Sequence, residues 1–343
     1  MNGFRHAGNK GKDRRKTARP GGSAGKGKGR RMNKISIIGA GSVGATIAYT
    51  LTLRGIAGEI VMIDIAKEKA LGEAMDIRQG TPFCGACSVY AGDYSDAKGS
   101  SIVILTSGVA RKPGQGRLEL AQTNVDITKT ILPEITKYAP DAIYIIVSNP
   151  VDILTYLFCK RSGLPENRII GSGTILDTAR LRERLSELYR VNQSNVHAYV
   201  FGEHGDSSFV PWSLANVATV PVDECGLFLG SSGAGELDRE AVEQYVKKSG
   251  AQVIACKGAT FYAVSMSVGH ICSSILTGMD TTMTVSTMMH GEYGIEDVCL
   301  STLSLVGHDG VRAKIQAPLT PQEQEKLRRS AETLQNVIRN LKI

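Results

Sequence analysis

The stretch that most narrows what this chain can fold into is Gly39-Ala-Gly41-Ser-Val-Gly44. A short apolar run, Ile35–Ile38, leads into it, and a helical stretch, Ala45–Arg54, leads out. A second apolar run, Glu59–Ile63, ends at Asp64, 20 residues past the last glycine. Three spaced glycines alone are weak evidence. Set between a strand and a helix, with an acid at that distance, they describe a dinucleotide-binding turn. Gly39 permits the tight turn, Gly41 lets the backbone approach a pyrophosphate at the helix N-terminus, and Gly44 lets helix and strand pack closely. Asp64 would accept hydrogen bonds from ribose hydroxyls. A carboxylate there repels a 2′-phosphate, which favours NAD over NADP.

The alternation continues downstream. Lys67–Gln79 reads as helix, Ser88–Ala91 and Ile102–Thr106 as strands, and residues 118–138 as a helix that Pro133 should kink. Ala142–Ser148 is a further strand, ending in Asn149-Pro150-Val-Asp152. Repeated β-α-β units imply an α/β fold with a doubly wound parallel sheet, whose ligands sit beyond the carboxyl ends of the strands. Asn149 and the loop 108–118 fall there. Past Asp152 the pattern becomes α+β. Helices read at 151–162, 177–189 and through 238–277, and strands at 196–201, 281–287 and 299–306. His308-Asp-Gly310 is a hairpin turn into a strand at 311–315. Thr320-Pro-Gln-Glu323 is a capping box with proline at the first helical position. The expected organisation is a basic extension at 1–33, a dinucleotide-binding domain at 34–150 and a substrate domain at 151–343.

The net charge of +7 is a property of the extension. Residues 1–34 hold 12 Lys or Arg against Asp13 alone, leaving 28 basic and 32 acidic residues, a balance of −4, for the rest. A segment rich in Gly, Lys and Arg with almost no large apolar residue should be disordered. Met32 could serve as a start, so the reading preferred is a surplus N-terminus. A polyanion-binding arm is the other, and nucleic acid is not an expected partner of a body with that charge. Seven cysteines, an odd number in a long chain, suggest reduced thiols and a cytoplasmic protein. Cys84-Gly-Ala-Cys87 has no second ligand pair nearby, so no metal is expected. No apolar run reaches membrane-spanning length.

The region 195–207, Asn-Val-His-Ala-Tyr-Val-Phe-Gly-Glu-His-Gly-Asp-Ser, opens with the alternation of a half-buried strand and ends with His204 between glycines. Histidine titrates near neutrality, so it can give and take a proton at working pH. A lone histidine is more often structural. Other segments supply what a proton-shuttling one would need.

From about Met32 to Ile343 the chain resembles the L-lactate/malate dehydrogenase family, its bacterial lactate branch above all. The resemblance is carried by Gly39–Gly44 with Asp64, by Lys112-Pro-Gly114 with Arg117-Leu-Glu-Leu120, and by Ser148–Asp152. Gly171–Arg180, Gly202–Asp206 and Lys257–Thr260 complete it. It implies a Rossmann domain followed by an α+β substrate domain, a homotetramer, and reduction of pyruvate to L-lactate with NADH in fermentative glycolysis. His204 would donate the proton, oriented by Asp177, which could otherwise be a helix N-cap. Arg180 would bind the substrate carboxylate. Arg117, on a Gly/Pro loop that reads as a lid, would close on the polarised carbonyl. Asn149, Asp152 and Thr260 belong to the substrate site by the same matching. Val43, Lys69, Tyr94, Gly108, Val109, Thr130 and Val147 would line the cofactor with Asn149.

Arg111 sits on the lid where the family's lactate enzymes usually carry glutamine and its malate enzymes arginine. Glu203, Thr260 and Leu118 look like the lactate branch. Three signals against one favour lactate, with malate or a broader L-2-hydroxy acid as the alternative. Arg182 and His197 match the pair that lines an anion site between subunits in lactate dehydrogenases responding to fructose 1,6-bisphosphate. Pairing with local carboxylates is their other reading.

Overall fold

The computed structural model describes residues 33–110, 116–228 and 237–343. The extension, apart from Asn33, and Arg111–Gly114 of the lid motif lie outside the described residues.

The first half runs β1 (Lys34–Ile38), α1 (Ser42–Leu53), β2 (Glu59–Ile63), α2 (Lys67–Gln79), β3 (Ser88–Ala91), β4 (Ile102–Leu105), α3 (Arg117–Tyr138), β5 (Ile143–Ile146), α4 (Val151–Arg161) and β6 (Ile169–Gly171). The second half adds α5 (Ile175–Tyr189), β7 (Val196–His197), β8 (Asn216–Val217), β9 (Val220–Pro221), α6 (Cys225–Phe228) and α7 (Arg239–Lys257). It closes with α8 (Tyr262–Thr277), β10 (Thr281–His290), β11 (Glu296–Gly307), β12 (Gly310–Lys314) and α9 (Pro321–Arg339).

Six strands form a parallel sheet in the order β3-β2-β1-β4-β5-β6. That is the doubly wound α/β arrangement expected, with its reversal between β1 and β4. The strand runs are apolar throughout because both faces are covered by helices: every residue of β4 and β5 is buried. The sheet does not stop at β6. The antiparallel strands β10, β11 and β12 join it through one pairing, Ser286 opposite Gly171, to give nine strands. β7, β8 and β9 make a separate small sheet. α9 opens on the expected capping box: the Thr320 hydroxyl accepts from the Glu323 amide, and the Glu323 carboxylate accepts from the Thr320 amide.

Three local expectations change. The strand expected over 196–201 is regular only at Val196–His197. Beyond it, α5 satisfies the backbone in place of a neighbouring strand. Arg182 Nε donates to the Ala198 carbonyl, and the Thr178 hydroxyl accepts from the Val200 amide. The Thr174 hydroxyl donates to the Val200 carbonyl. Arg117 is the first residue of α3 rather than part of a loop, and α3 carries Pro133 within its length. Asp177 is not an N-cap: Thr174 holds that position, which places Asp177 in the first turn of α5.

Candidate functional site

At the end of β1 the chain turns at Gly39, whose φ is +106° and whose amide donates to the Ile63 carbonyl at 2.8 Å. That φ favours glycine. A Cβ on Gly44 would stand 1.9 Å from the Gly39 carbonyl oxygen, so α1 approaches β1 as closely as a bare backbone allows. A Cβ on Gly41 would meet nothing within 4 Å, which leaves that side of the turn open to a ligand. Asp64 ties the turn to β2: Oδ2 accepts from the Ala40 amide at 2.6 Å and Oδ1 from the Ala66 amide at 2.8 Å.

Val43, Gly108, Val109, Val147 and Asn149 share the wall of one cavity of about 590 Å³. The three glycines Gly39, Gly41 and Gly44, and Asp64, Lys69, Tyr94 and Thr130, are not in that wall. Lys69 is exposed on α2, Tyr94 half-buried, and Thr130 exposed with its hydroxyl on the Ile127 carbonyl. Asn124, buried on α3, is a residue that sequence reasoning missed. Its Oδ1 accepts from the Val109 amide at 2.9 Å, and its Nδ2 donates to the carbonyls of Val109 and Asn149. One side chain thus fixes two of the expected ligand-binding loops. The only trace in the sequence is an amide among the apolar positions of a helix.

The same cavity receives His204, Asp177, Arg180 and Thr260. Phe201 and Phe209 bridge, and Gly202 pairs with Ser301 of β11, so the turn carrying His204 is pinned at its base. His204 Nδ1 lies 2.6 Å from Asp177 Oδ2, while Arg180 donates to Asp177 Oδ1 at 2.8 Å. Asp177 therefore faces the His204 ring and the Arg180 guanidinium from the first turn of a helix, where a carboxylate also suits the helix dipole. Burial pushes the Asp177 carboxyl up, but the imidazolium and the guanidinium more than offset it and hold it below its ordinary range. For His204, burial disfavours the charged ring, and the charge and hydrogen bond of Asp177 outweigh that, so the imidazole stands above its ordinary value.

Asp152, at the start of α4, is only 3% exposed. It accepts from the His204 amide at 2.8 Å and from the Ser286 hydroxyl at 2.5 Å. No cation touches it among the described residues, and burial pushes it up to about 6. It holds the histidine's backbone from beneath. Ser286 carried no signal in the sequence, since nothing in a strand of alternating Thr, Met and Ser singles it out.

Arg117 lies apart from the buried pair. Its guanidinium reaches Asp206 at 2.6 Å, with both side chains more than three-quarters exposed. Arg182 Nε is bound to the Ala198 carbonyl at 3.0 Å, and its guanidinium lies 5.1 Å from the Tyr199 ring centre. His197 is exposed at the end of β7, so it does not share one continuous strand with His204. Neither Arg182 nor His197 pairs with a carboxylate among the described residues.

A helix-mounted carboxylate shared by a histidine and an arginine, facing a cavity beside a dinucleotide turn, suits reduction of a keto acid. The chain's similarities point the same way. Residues 33–171 match the lactate/malate dehydrogenase NAD binding domain, and residues 174–342 its alpha/beta C-terminal domain. The chain belongs to the lactate/malate dehydrogenase family. It is 47% identical over 312 residues to an L-lactate dehydrogenase of Thermoanaerobacter sp. strain X514, covering 91% of this chain and 100% of the relative. It is 44% identical over 316 residues to one from Acetivibrio thermocellus, covering 91% and 98%. Among solved structures, the minor L-lactate dehydrogenase of Enterococcus mundtii superposes with a TM-score of 0.86 at 38% identity, covering 91% of this chain and 99% of that one. The Clostridium thermocellum L-lactate dehydrogenase gives 0.81 at 42%, covering 91% and 100%. The matched N-terminal domain is an NAD binding domain, and the cofactor is NAD. Among the described residues no helix is long and apolar enough to cross a membrane.

Proposed function

We infer that this chain is an NAD-dependent L-lactate dehydrogenase that interconverts pyruvate and L-lactate. The observation that carries the reading is Asp177 held between His204 and Arg180 on the wall of one cavity. The relatives' shared designation as L-lactate dehydrogenases favours lactate over malate. The open side of Gly41 and the close approach at Gly44 fit a bound NAD, with Asp64 and the loop 108–109 as further contacts. When bound, NADH supplies the hydride.

The chain's own residues do the rest. Nε2 of His204, the ring nitrogen that Asp177 does not occupy, gives its proton to the keto oxygen. Arg180 receives the substrate carboxylate with its planar fork, and Gly250 of α7 lies beside it. Asn149 and Thr260 frame the substrate, and Asp152 acts from below through the His204 backbone. Arg117 leaves Asp206 to reach the polarised carbonyl when the lid, with Arg111, covers the site. Lys69, Tyr94 and Thr130 belong to the cofactor site only through family matching, since they stand outside the cavity wall. We propose further that the enzyme is a cytoplasmic homotetramer, divided at 34–150 and 151–343 as its sequence suggests, and that fructose 1,6-bisphosphate binds at Arg182 and His197. That Arg182 pairs with no carboxylate among the described residues, and that His197 is exposed, supports that last reading.

Steady-state rates with NADH against pyruvate, oxaloacetate and branched 2-keto acids test the assignment. Pyruvate is expected to give the highest kcat/KM, and Arg111→Gln to lower any oxaloacetate rate far more than the pyruvate rate. A wild-type preference for oxaloacetate would replace the lactate reading. An unchanged ratio in the variant would remove Arg111 from the closed pocket.

A further inference from the structure

We propose that Ser330, on the terminal helix α9, is a positioning residue for the proton-transferring turn. Ser330 lies on the stripe that carries Leu327 and Leu334 into the core, and it is fully buried. A hydroxyl there must find partners or leave a polar atom unsatisfied. It finds them all in the turn around His204. The Glu203 amide donates to Ser330 Oγ at 2.8 Å, and Ser330 Oγ lies 3.0 Å from Ser207 Oγ. The Ser207 hydroxyl donates in turn to the Glu203 carboxylate. With Ser330 donating to Ser207, the four groups close a ring: Glu203 amide, Ser330, Ser207, Glu203 carboxylate. The ring brackets His204 on both sides in sequence.

The approach is specific to this geometry. A Cβ on Gly202 would stand 2.6 Å from Ser330 Oγ, so only a glycine lets α9 come this close. The next amide, that of His204, is held by Asp152. Two consecutive amides of the turn are thus each fixed by a buried side chain from a different helix, α9 for Glu203 and α4 for His204. Ser330 does not line the cavity. It acts by fixing where His204 can stand, and small displacements of an acid–base group cost rate steeply. The inference rests on His204 being the proton donor.

The test uses the full chain with pyruvate and NADH. Ser330→Ala removes the acceptor, and Ser330→Cys keeps the size while supplying only a weak one, which guards against a variant that does not fold. Both are expected to lower kcat, by about tenfold for Ala, with the NADH dissociation constant measured by fluorescence unchanged. The isotope effect on kcat with NADH deuterated at the transferring position should rise, because the chemical step becomes more limiting. Ser330→Thr, which retains the hydroxyl, should return kcat to within about threefold of wild type. A purely structural role would lower the melting temperature and leave kcat and the isotope effect of the folded protein at wild-type values, and that result overturns the proposal. So does a Thr variant as slow as Ala, which would assign the effect to packing. A wild-type chain that does not reduce pyruvate would instead overturn the functional reading on which this one rests.

Discussion

Asp152→Asn isolates the energetic cost of a buried charge beneath the turn that carries His204. Burial raises the carboxyl from 3.8 to about 6. At 1.36 kcal/mol per unit, ionised Asp152 opposes folding by about 3 kcal/mol relative to the protonated form. The raised value fixes the sign. The group's favourable contribution is complete below about pH 3.8 and is lost as the pH rises through about 6. On that titration roughly half of it is gone by pH 5 and nearly all by pH 7.5, so on the order of 1 kcal/mol is lost between the two. Asparagine can keep both hydrogen bonds, its oxygen accepting from the His204 amide and its nitrogen donating to Ser286, without the charge. Urea unfolding of wild type and variant at pH 5 and pH 7.5 gives the four stabilities needed. The wild type should lose on the order of 1 kcal/mol more than the variant between the two pH values. Any pH-independent cost of the substitution cancels in that difference. Parallel pH dependence of the two proteins would falsify the claim that Asp152 titrates inside the fold.

Three further outcomes are expected. His204→Asn should lower the rate by at least ~10²-fold with NADH binding nearly intact, and near-normal turnover would remove His204 from the mechanism. Asp177→Asn should move the pH limit of pyruvate reduction downward, because the charge that holds His204 above its ordinary value is gone, and an unmoved profile would mean Asp177 does not set that limit. Fructose 1,6-bisphosphate should lower the pyruvate concentration needed for half-maximal rate in wild type and not in Arg182→Gln. Four identical titration curves, with and without the effector, would sink the anion-site reading.

The parallel half was legible because its local rules agree with its global fold. Gly39 and Gly44 leave marks in the sequence since only glycine tolerates the φ of one and the 1.9 Å approach at the other. Apolar runs such as Ile102–Leu105 announce strands covered on both sides. The capping box at Thr320 is likewise local chemistry. His204, Asp177 and Arg180 were picked out by motif, and the fold brings them together. What escaped was set by partners far along the chain. β6 is three residues long and gains its identity from β5 and β10. The stretch after His197 alternates like a strand, yet hydroxyls and a guanidinium from α5 take its backbone bonds. Asn124, Ser286 and Ser330 belong to no motif, because a buried amide or hydroxyl becomes important only through the amide or carbonyl it meets.

The single rung between β6 and β10 has a mechanical consequence. Ser286 is the residue of β10 that pairs with Gly171, and the same residue's hydroxyl binds Asp152, which holds the His204 amide. The seam between the parallel and antiparallel strands is therefore also the bearing on which the His204 turn rests. Loss of that one rung would loosen the hold of Ser286 and Asp152 on the His204 amide while the strands on either side stay paired among themselves. Under heat or denaturant, turnover should fail earlier than the secondary structure does, as a fuse opens before the wiring melts.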